Sequence, residues 1–256
     1  HIITALRGPL RNLETAVARC HLGIKGVVVS PYASALGCLT EDEKKMGVTC
    51  IDMGGGTTSV AVFFDGELVH TDVVPLGGVH VTNDISRGLV TPLTHAERMK
   101  TLYGNALPSA NDDHEVIQVP AMGDDAGGDG NVVPRSMLVG IVRPRVEEIF
   151  ELIRDRLRES GFDKVAGRGL VLTGGASQLP GAQEVSAAIL DKQVRLGRPL
   201  AIDGMAEAVA GPTFSTCAGL LRYALDGVEE PDAAPAARVQ ARSRMGRLGQ
   251  WLRENF

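Results

Sequence analysis

A chain of 256 residues with 44% apolar content can bury a sizeable core, in one large domain or two smaller ones. Its net charge of −5 argues against a body that binds nucleic acid electrostatically, and no apolar run is long enough to span a bilayer. The four cysteines form no CxxC pair and no metal-ligand spacing, which fits a reducing compartment; Cys20, Cys50 and Cys217 sit among apolar or small residues and read as buried thiols.

The chain opens on His1-Ile2-Ile3-Thr4, which reads as the end of a strand and suggests a fragment without its amino-terminal part. Apolar residues at helical spacing predict a helix over Asn12–Leu22, and Gly26–Val29 reads as a short buried strand. Val48–Ile51 is a second strand, running into Asp52 and three glycines. Thr58–Phe64 and Glu67–Val74 are β runs joined by Asp65-Gly66, a dipeptide suited to a two-residue type I′ hairpin. Helices are predicted over Val79–Leu89 and Thr94–Tyr103, the second capped by Thr94. Glu115–Val119 reads as a strand and Ala121–Asn131 as a Gly- and Asp-rich loop. Met137–Ser160 is helical, started or kinked by Pro144 and ended by Gly161. Gly169–Leu172 is a buried strand, followed by helix Gly181–Leu190, strand Val194–Leu196 and helix Thr213–Leu225. Gly227–Ala237, rich in Pro, Ala and acids, reads as a linker before a last helix over Ser243–Phe256.

Asp52-Met53-Gly54-Gly55-Gly56-Thr57-Thr58 lies between two predicted strands. Consecutive glycines let the backbone turn sharply and aim N–H groups at phosphate oxygens. Asp52, at a strand end, is placed to hold Mg²⁺ through water, and Thr57 can add a hydroxyl. Thr173-Gly174-Gly175-Ala176-Ser177 is a second strand-to-glycine turn leading towards a helix. Either turn alone could be ordinary tight packing; the pair suggests two walls of one cleft. In Ala96-Glu97-Arg98-Met99-Lys100, Glu97 and Lys100 share a helix face and could meet a ribose and adenine. Equally, Thr94 and Glu97 have capping-box spacing. His21, His70, His80, His95 and His114 are scattered, have no assignable partner and read mostly as surface residues.

The tail places Met245, Leu248, Trp251, Leu252 and Phe256 on one helical face, flanked by Arg242, Arg244, Arg247 and Arg253. A basic amphipathic helix after a flexible linker suits an anionic membrane surface. Packing against a partner protein is the alternative.

Asp52 to Thr58 resembles the second phosphate loop of the actin, Hsp70 and sugar-kinase superfamily, and Leu172 to Ser177 its adenosine loop. Ala96 to Lys100 is similar to the ribose motif of bacterial actins. Thr213–Leu225, with Ala218-Gly219-Leu220, is similar to the connecting helix that closes the second domain. Together with His1-Ile2-Ile3-Thr4, Leu39-Thr40-Glu41-Asp42-Glu43 and the tail Trp251-Leu252-Arg253-Glu254-Asn255-Phe256, these strings resemble the bacterial cell-division branch of that superfamily from first residue to last.

The resemblance implies an α/β, actin-like (ribonuclease H-like) domain with an inserted small α+β subdomain and a carboxy-terminal amphipathic helix. Residues 1–46 would be a remnant of the first domain, 47–88 and 167–226 the large subdomain of the second, and 89–166 its inserted small subdomain. Residues 227–242 would be a linker and 243–256 a membrane-targeting helix. It further implies ATP and Mg²⁺ at Asp52, Gly54, Gly55, Gly56, Thr57, Thr58, Glu97, Lys100, Gly174, Gly175 and Ala176. Implied partners are the carboxy-terminal peptide of FtsZ (meeting Arg135 and Arg145), further copies of the chain in filaments, anionic inner-membrane lipid and later division proteins. The two arginines could equally be solvated helix residues. The first phosphate loop would lie upstream of His1, leaving half an ATP site and at most a weak ATPase. An ATP-dependent kinase of the same fold is the alternative function.

Overall fold

The computed structural model describes residues 3–123 and 131–226. Three helices come first: α1 (Arg7–Arg19), α2 (Ser30–Cys38) and α3 (Glu41–Met46). They lead into β1 (Val48–Met53), β2 (Thr58–Phe64) and β3 (Glu67–Val74), then α4 (Gly78–Leu89) and α5 (Leu93–Tyr103). A short ribbon, β4 (Val116–Val119) and β5 (Asn131–Pro134), precedes the long helix α6 (Arg135–Ser160). The chain closes with β6 (Gly169–Thr173), α7 (Ala182–Leu190), β7 (Gln193–Leu196) and α8 (Ser215–Asp226).

The main sheet has five strands in the order β3-β2-β1-β6-β7. β1, β2 and β3 form an antiparallel meander, whereas β6 and β7 run parallel to β1 after helical crossovers. The expected hairpin turn is present, with Asp65 at φ 52° and Gly66 at φ 85°, as a type I′ turn requires. Strand residues alternate between two cores. Ile51, Met53, Val60, Val62, Leu170 and Leu172 join the larger core, under α4, α6 and α7. Val48, Cys50, Ala61, Phe63 and Val171 join a smaller one, under α2. A sheet covered on both faces needs strands apolar at consecutive positions, which is how Val48–Ile51 and Gly169–Leu172 read.

Several expectations change. Gly26–Val29 is not a strand; Gly26 and Val27 are exposed and Val28 and Val29 half-buried, and no strand among the described residues pairs with their N–H and C=O groups. The first helix is Arg7–Arg19 rather than Asn12–Leu22, and none of its residues is buried. α2 packs Ala35, Cys38 and Leu39 on the sheet, in the stretch expected to belong with residues 1–46. α3 begins with a capping box, Thr40 and Glu43 bonding reciprocally. Pro144 does not start α6 but sits inside it, and Gly161 ends it as expected; the carbonyl that Pro144 deprives of a partner belongs to Gly140, which faces solvent. Cys20 and Cys217 are exposed, against expectation, while Cys38 and Cys50 are buried with sulfurs 3.8 Å apart. Each exposed cysteine sits on the outer side of a helix end, a position that apolar neighbours in sequence do not reveal.

The edge strand β7 is fastened through Arg195. Its Nε and Nη2 donate to the two oxygens of Glu43 at 2.6 Å each, and Nη2 also donates to Cys38 O at 2.9 Å. Burial pushes the Glu43 carboxyl up, but the bonds from Arg195 and Thr40 outweigh it and hold it below its ordinary value. A carboxyl depressed in the folded state contributes stability above its unfolded pKa, and that contribution is lost as pH falls through the folded pKa. Glu43→Gln should therefore cost about 1 kcal/mol at pH 7, discounted for the partial exposure of both partners. The gap between parent and variant in urea melts should close below about pH 4; a gap that is constant with pH would exclude the ion pair as its cause.

Candidate functional site

Both glycine turns stand at the same edge of the sheet because β1 and β6 are parallel neighbours, with Asp52 opposite Thr173. Beyond Met53 the chain reverses within four residues, Gly54 N donating to Thr57 O at 2.9 Å. The first turn of α4 docks on this loop, Gly78 N bonding Gly54 O at 3.0 Å and Val79 N bonding Gly55 O at 2.8 Å. Gly77 is required there: a Cβ would sit 2.6 Å from Gly54 O. Among the described residues, the amides of Gly55 and Gly56 donate to no protein acceptor, and both glycines are exposed. They remain available to an anion.

Next to this loop lies a cavity of about 370 Å³, within the range of small-molecule sites. It is lined by Met53, by Gly78 and Val79 from the start of α4, and by Gly175, Ala176 and Leu179 from the segment after β6. Glu97 and Lys100 project into it from α5. Lys100 Nζ donates to Glu97 Oε2 at 2.7 Å, to Thr82 Oγ1 at 2.9 Å and to Gly78 O at 3.1 Å. Thr82 also donates to Glu97. Burial pushes the Glu97 carboxyl up, but Lys100 and Thr82 together hold it below its ordinary value. Glu97 does not form the capping box: α5 begins at Leu93, so Thr94 lies one residue inside the helix and no side chain caps it. An ionised carboxylate beside an ammonium, in a cavity lined largely by apolar residues and by both glycine turns, matches a ligand with a flat apolar ring, hydroxyls and an anionic end.

The remaining sequence-predicted residues fall close by with differing roles. Gly174, at φ 89°, lets the β6 turn press against β1; a Cβ there would meet Asp52 Oδ1 at 2.3 Å. Thr57 is exposed beside Gly55 and Gly56. Thr58 departs from the expected ligand role, being fully buried with its hydroxyl donating to Leu76 O at 2.8 Å. Asp52 is half-buried, and its Oδ2 accepts from Ser34 Oγ at 2.5 Å and Thr216 Oγ1 at 3.1 Å. A hard cation with its water shell fits the chemistry of a strand-end carboxylate. Ser34, Thr82 and Thr216 carried no sequence signal of their own, since each contacts the site from a different helix. His80 is a local fastening, its Nδ1 accepting from Gly77 N at 3.1 Å. His70, far from being a free surface residue, stacks on Phe162.

Residues 49–219 match the sequence profile of a family described as "Cell division protein FtsA". The chain belongs to the FtsA family. It is 48% identical over 259 residues to the FtsA of Rhizobium meliloti (strain 1021), a match covering all of this chain and 59% of that protein. To the FtsA of Escherichia coli (strain K12) it is 36% identical over 265 residues, covering all of this chain and 62% of the relative. The chain thus spans about three-fifths of the length of the FtsA proteins it matches. Among solved structures, ADP-bound MreB5 of Spiroplasma citri superposes with a TM-score of 0.67 at 16% identity, covering 87% of this chain and 67% of that one. That likeness establishes the actin-like fold, as the two glycine loops implied.

The two arginines expected at a peptide-binding surface are engaged internally. Arg135 Nη1 pairs with Asp112 at 3.1 Å and Glu115 at 3.0 Å, and its Nε donates to Tyr103 O. Arg145 bonds Asp84 through Nε at 2.5 Å and through Nη2 at 3.1 Å, and it also pairs with Glu148. The expected tail residues Met245, Leu248, Trp251, Leu252, Phe256, Arg244, Arg247 and Arg253 lie outside the described residues. Among those described, no helix is long and apolar enough to cross a membrane.

Proposed function

We propose that this FtsA-family chain binds ATP with Mg²⁺ at the cavity between its two glycine turns and tethers FtsZ filaments to the cytoplasmic face of the inner membrane at the division septum. The observation that supports the nucleotide part is the Glu97–Lys100 pair set into an apolar cavity beside the open amides of Gly55 and Gly56. Ribose hydroxyls would donate to Glu97, adenine would lie against the Gly175–Ala176 wall, and phosphates would accept from the glycine amides. Asp52 would hold Mg²⁺ through water. The cation supplies charge neutralisation for the phosphates. In this reading the chain supplies half of an ATP site and is at most a weak ATPase. Membership of a cell-division family favours this reading over a small-molecule kinase.

In this reading residues 47–88 and 167–226 are the large subdomain and 89–166 the small one, with residues 1–46 belonging to the first domain. The FtsZ carboxy-terminal peptide would dock on the small subdomain near Arg135 and Arg145. An acidic peptide must there compete with Asp84, Asp112 and Glu115 for the guanidiniums, so apolar contacts would supply much of the affinity. Val116, Val132 and Met137 are exposed near Arg135 and suit that role. Residues 227–242 form the linker and 243–256 the amphipathic anchor. One such helix binds lipid reversibly, so self-assembly into filaments would make attachment firm by avidity. The assembled filament then recruits later division proteins.

Co-flotation tests the tether as a whole. A labelled FtsZ tail peptide should float with anionic vesicles only when the protein is present, and Trp251→Glu should reduce that flotation at least tenfold. Peptide that stays at the bottom with the parent protein, or floats equally with the variant, would refute the tether.

A further inference from the structure

We infer that Ser34 and Thr216 are positioning residues that lock the Asp52 carboxylate and couple its occupancy to the crossing of α2 and α8; this rests on the proposed MgATP site. The three side-chain oxygens form a triangle: Ser34 Oγ to Asp52 Oδ2 at 2.5 Å, Thr216 Oγ1 to the same oxygen at 3.1 Å, and the two hydroxyls 2.8 Å from each other. Two hydroxyl protons serve three contacts, and an ionised carboxylate can only accept. Oδ2 is therefore committed to the hydroxyls. Oδ1, beside the Gly174 turn, is the oxygen left to act on a hydrated cation.

The two hydroxyls come from different helices that touch backbone to backbone. A Cβ on Gly219 would fall 1.6 Å from Ala33 O, and one on Gly37 would fall 2.2 Å from Ser215 O. Ser34 follows Ala33 on α2, and Thr216 follows Ser215 on α8, whose hydroxyl lies 2.6 Å from Thr173 Oγ1 at the end of β6. Any change in the angle between α2 and α8 must stretch one side of the triangle and turn the carboxylate. By reciprocity, a cation that fixes the carboxylate must resist movement of the helices. Ser34 is fully buried and Thr216 half-buried, so solvent cannot readily replace either bond.

The test separates Mg²⁺ from nucleotide. ATP affinity is measured by titration with excess Mg²⁺ and again in EDTA, for the parent, Ser34→Ala, Thr216→Val and Thr216→Ser. The parent should bind more tightly with Mg²⁺. Ser34→Ala and Thr216→Val should lose about tenfold of that enhancement while keeping the EDTA affinity, and Thr216→Ser, which retains the hydroxyl, should recover it. Amide exchange provides a second readout, since MgATP should slow exchange along α2 in the parent and in Thr216→Ser but not in the other two. Equal enhancement in every variant would overturn the inference, as would equal losses with Mg²⁺ and in EDTA, which mark a purely structural role. A parent that binds no ATP under either condition would overturn the nucleotide reading itself, and the inference with it.

Discussion

Gly219→Ala is expected to destabilise the protein by at least about 3 kcal/mol, although the same exchange in an open helix stabilises. The sign follows from what the methyl meets. On α8 it would fall 1.6 Å from Ala33 O, 2.5 Å from Ala33 C and 3.0 Å from Gly37 N, all backbone atoms that cannot swing aside. Helix propensity offers a gain of only about 1 kcal/mol against that overlap. α2 would have to lift from α8, drawing Ala35, Cys38 and Leu39 off the sheet. For a chain of this size the melting temperature should fall by roughly 6–12 °C. Gly140→Ala is the matched control, on the exposed side of α6 with nothing within 4 Å of the added carbon. It should be neutral or raise stability by up to about 1 kcal/mol. Similar melts for the two variants would mean that α2 and α8 do not cross this closely.

That crossing also marks where the sequence stops being legible. The meander from Val48 to Val74 can be read directly, because its turn chemistry at Asp65-Gly66 and its apolar runs are local properties. Gly26–Val29 has the same local character yet forms no strand, since strand formation depends on a neighbour that no described residue supplies. α2 is illegible for the opposite reason. Its sequence, SPYASALGC, has little amphipathic period because it is buried through small residues against both α8 and the sheet. The candidate site divides the same way. Its glycine turns are visible as motifs, and Glu97 and Lys100 as a helical pair. Thr58 reads as a ligand from its place in the motif, but strand pairing turns it into the core. Ser34 and Thr216 are separated by 182 positions, and only the fold shows that they share one carboxylate.

Gly174→Ala should abolish the stabilisation of this protein by MgATP. Position 174 has φ 89° and ψ 165°, a region that side chains other than hydrogen enter at a cost of about 1–3 kcal/mol. The new carbon would also lie 2.3 Å from Asp52 Oδ1 and 2.6 Å from Met53 O. Relief of the overlap must either turn the carboxylate away from its two hydroxyl donors or move the β6 turn, and with it Gly175 and Ala176, away from the cavity. Both routes would damage the proposed site, one through Asp52 and the other through the Gly175–Ala176 wall. The parent, at a hundredfold excess of MgATP over its dissociation constant, should gain about 2.7 kcal/mol, a rise of roughly 5–10 °C in melting temperature. Gly174→Ala should melt lower without ligand and show no rise with it. Gly56→Ala, whose added carbon meets nothing within 4 Å, should melt like the parent without ligand. A Gly174→Ala protein that keeps the full nucleotide-dependent rise would show that Asp52 and the β6 turn are not parts of the binding site, and would move the search for the ligand elsewhere in the fold.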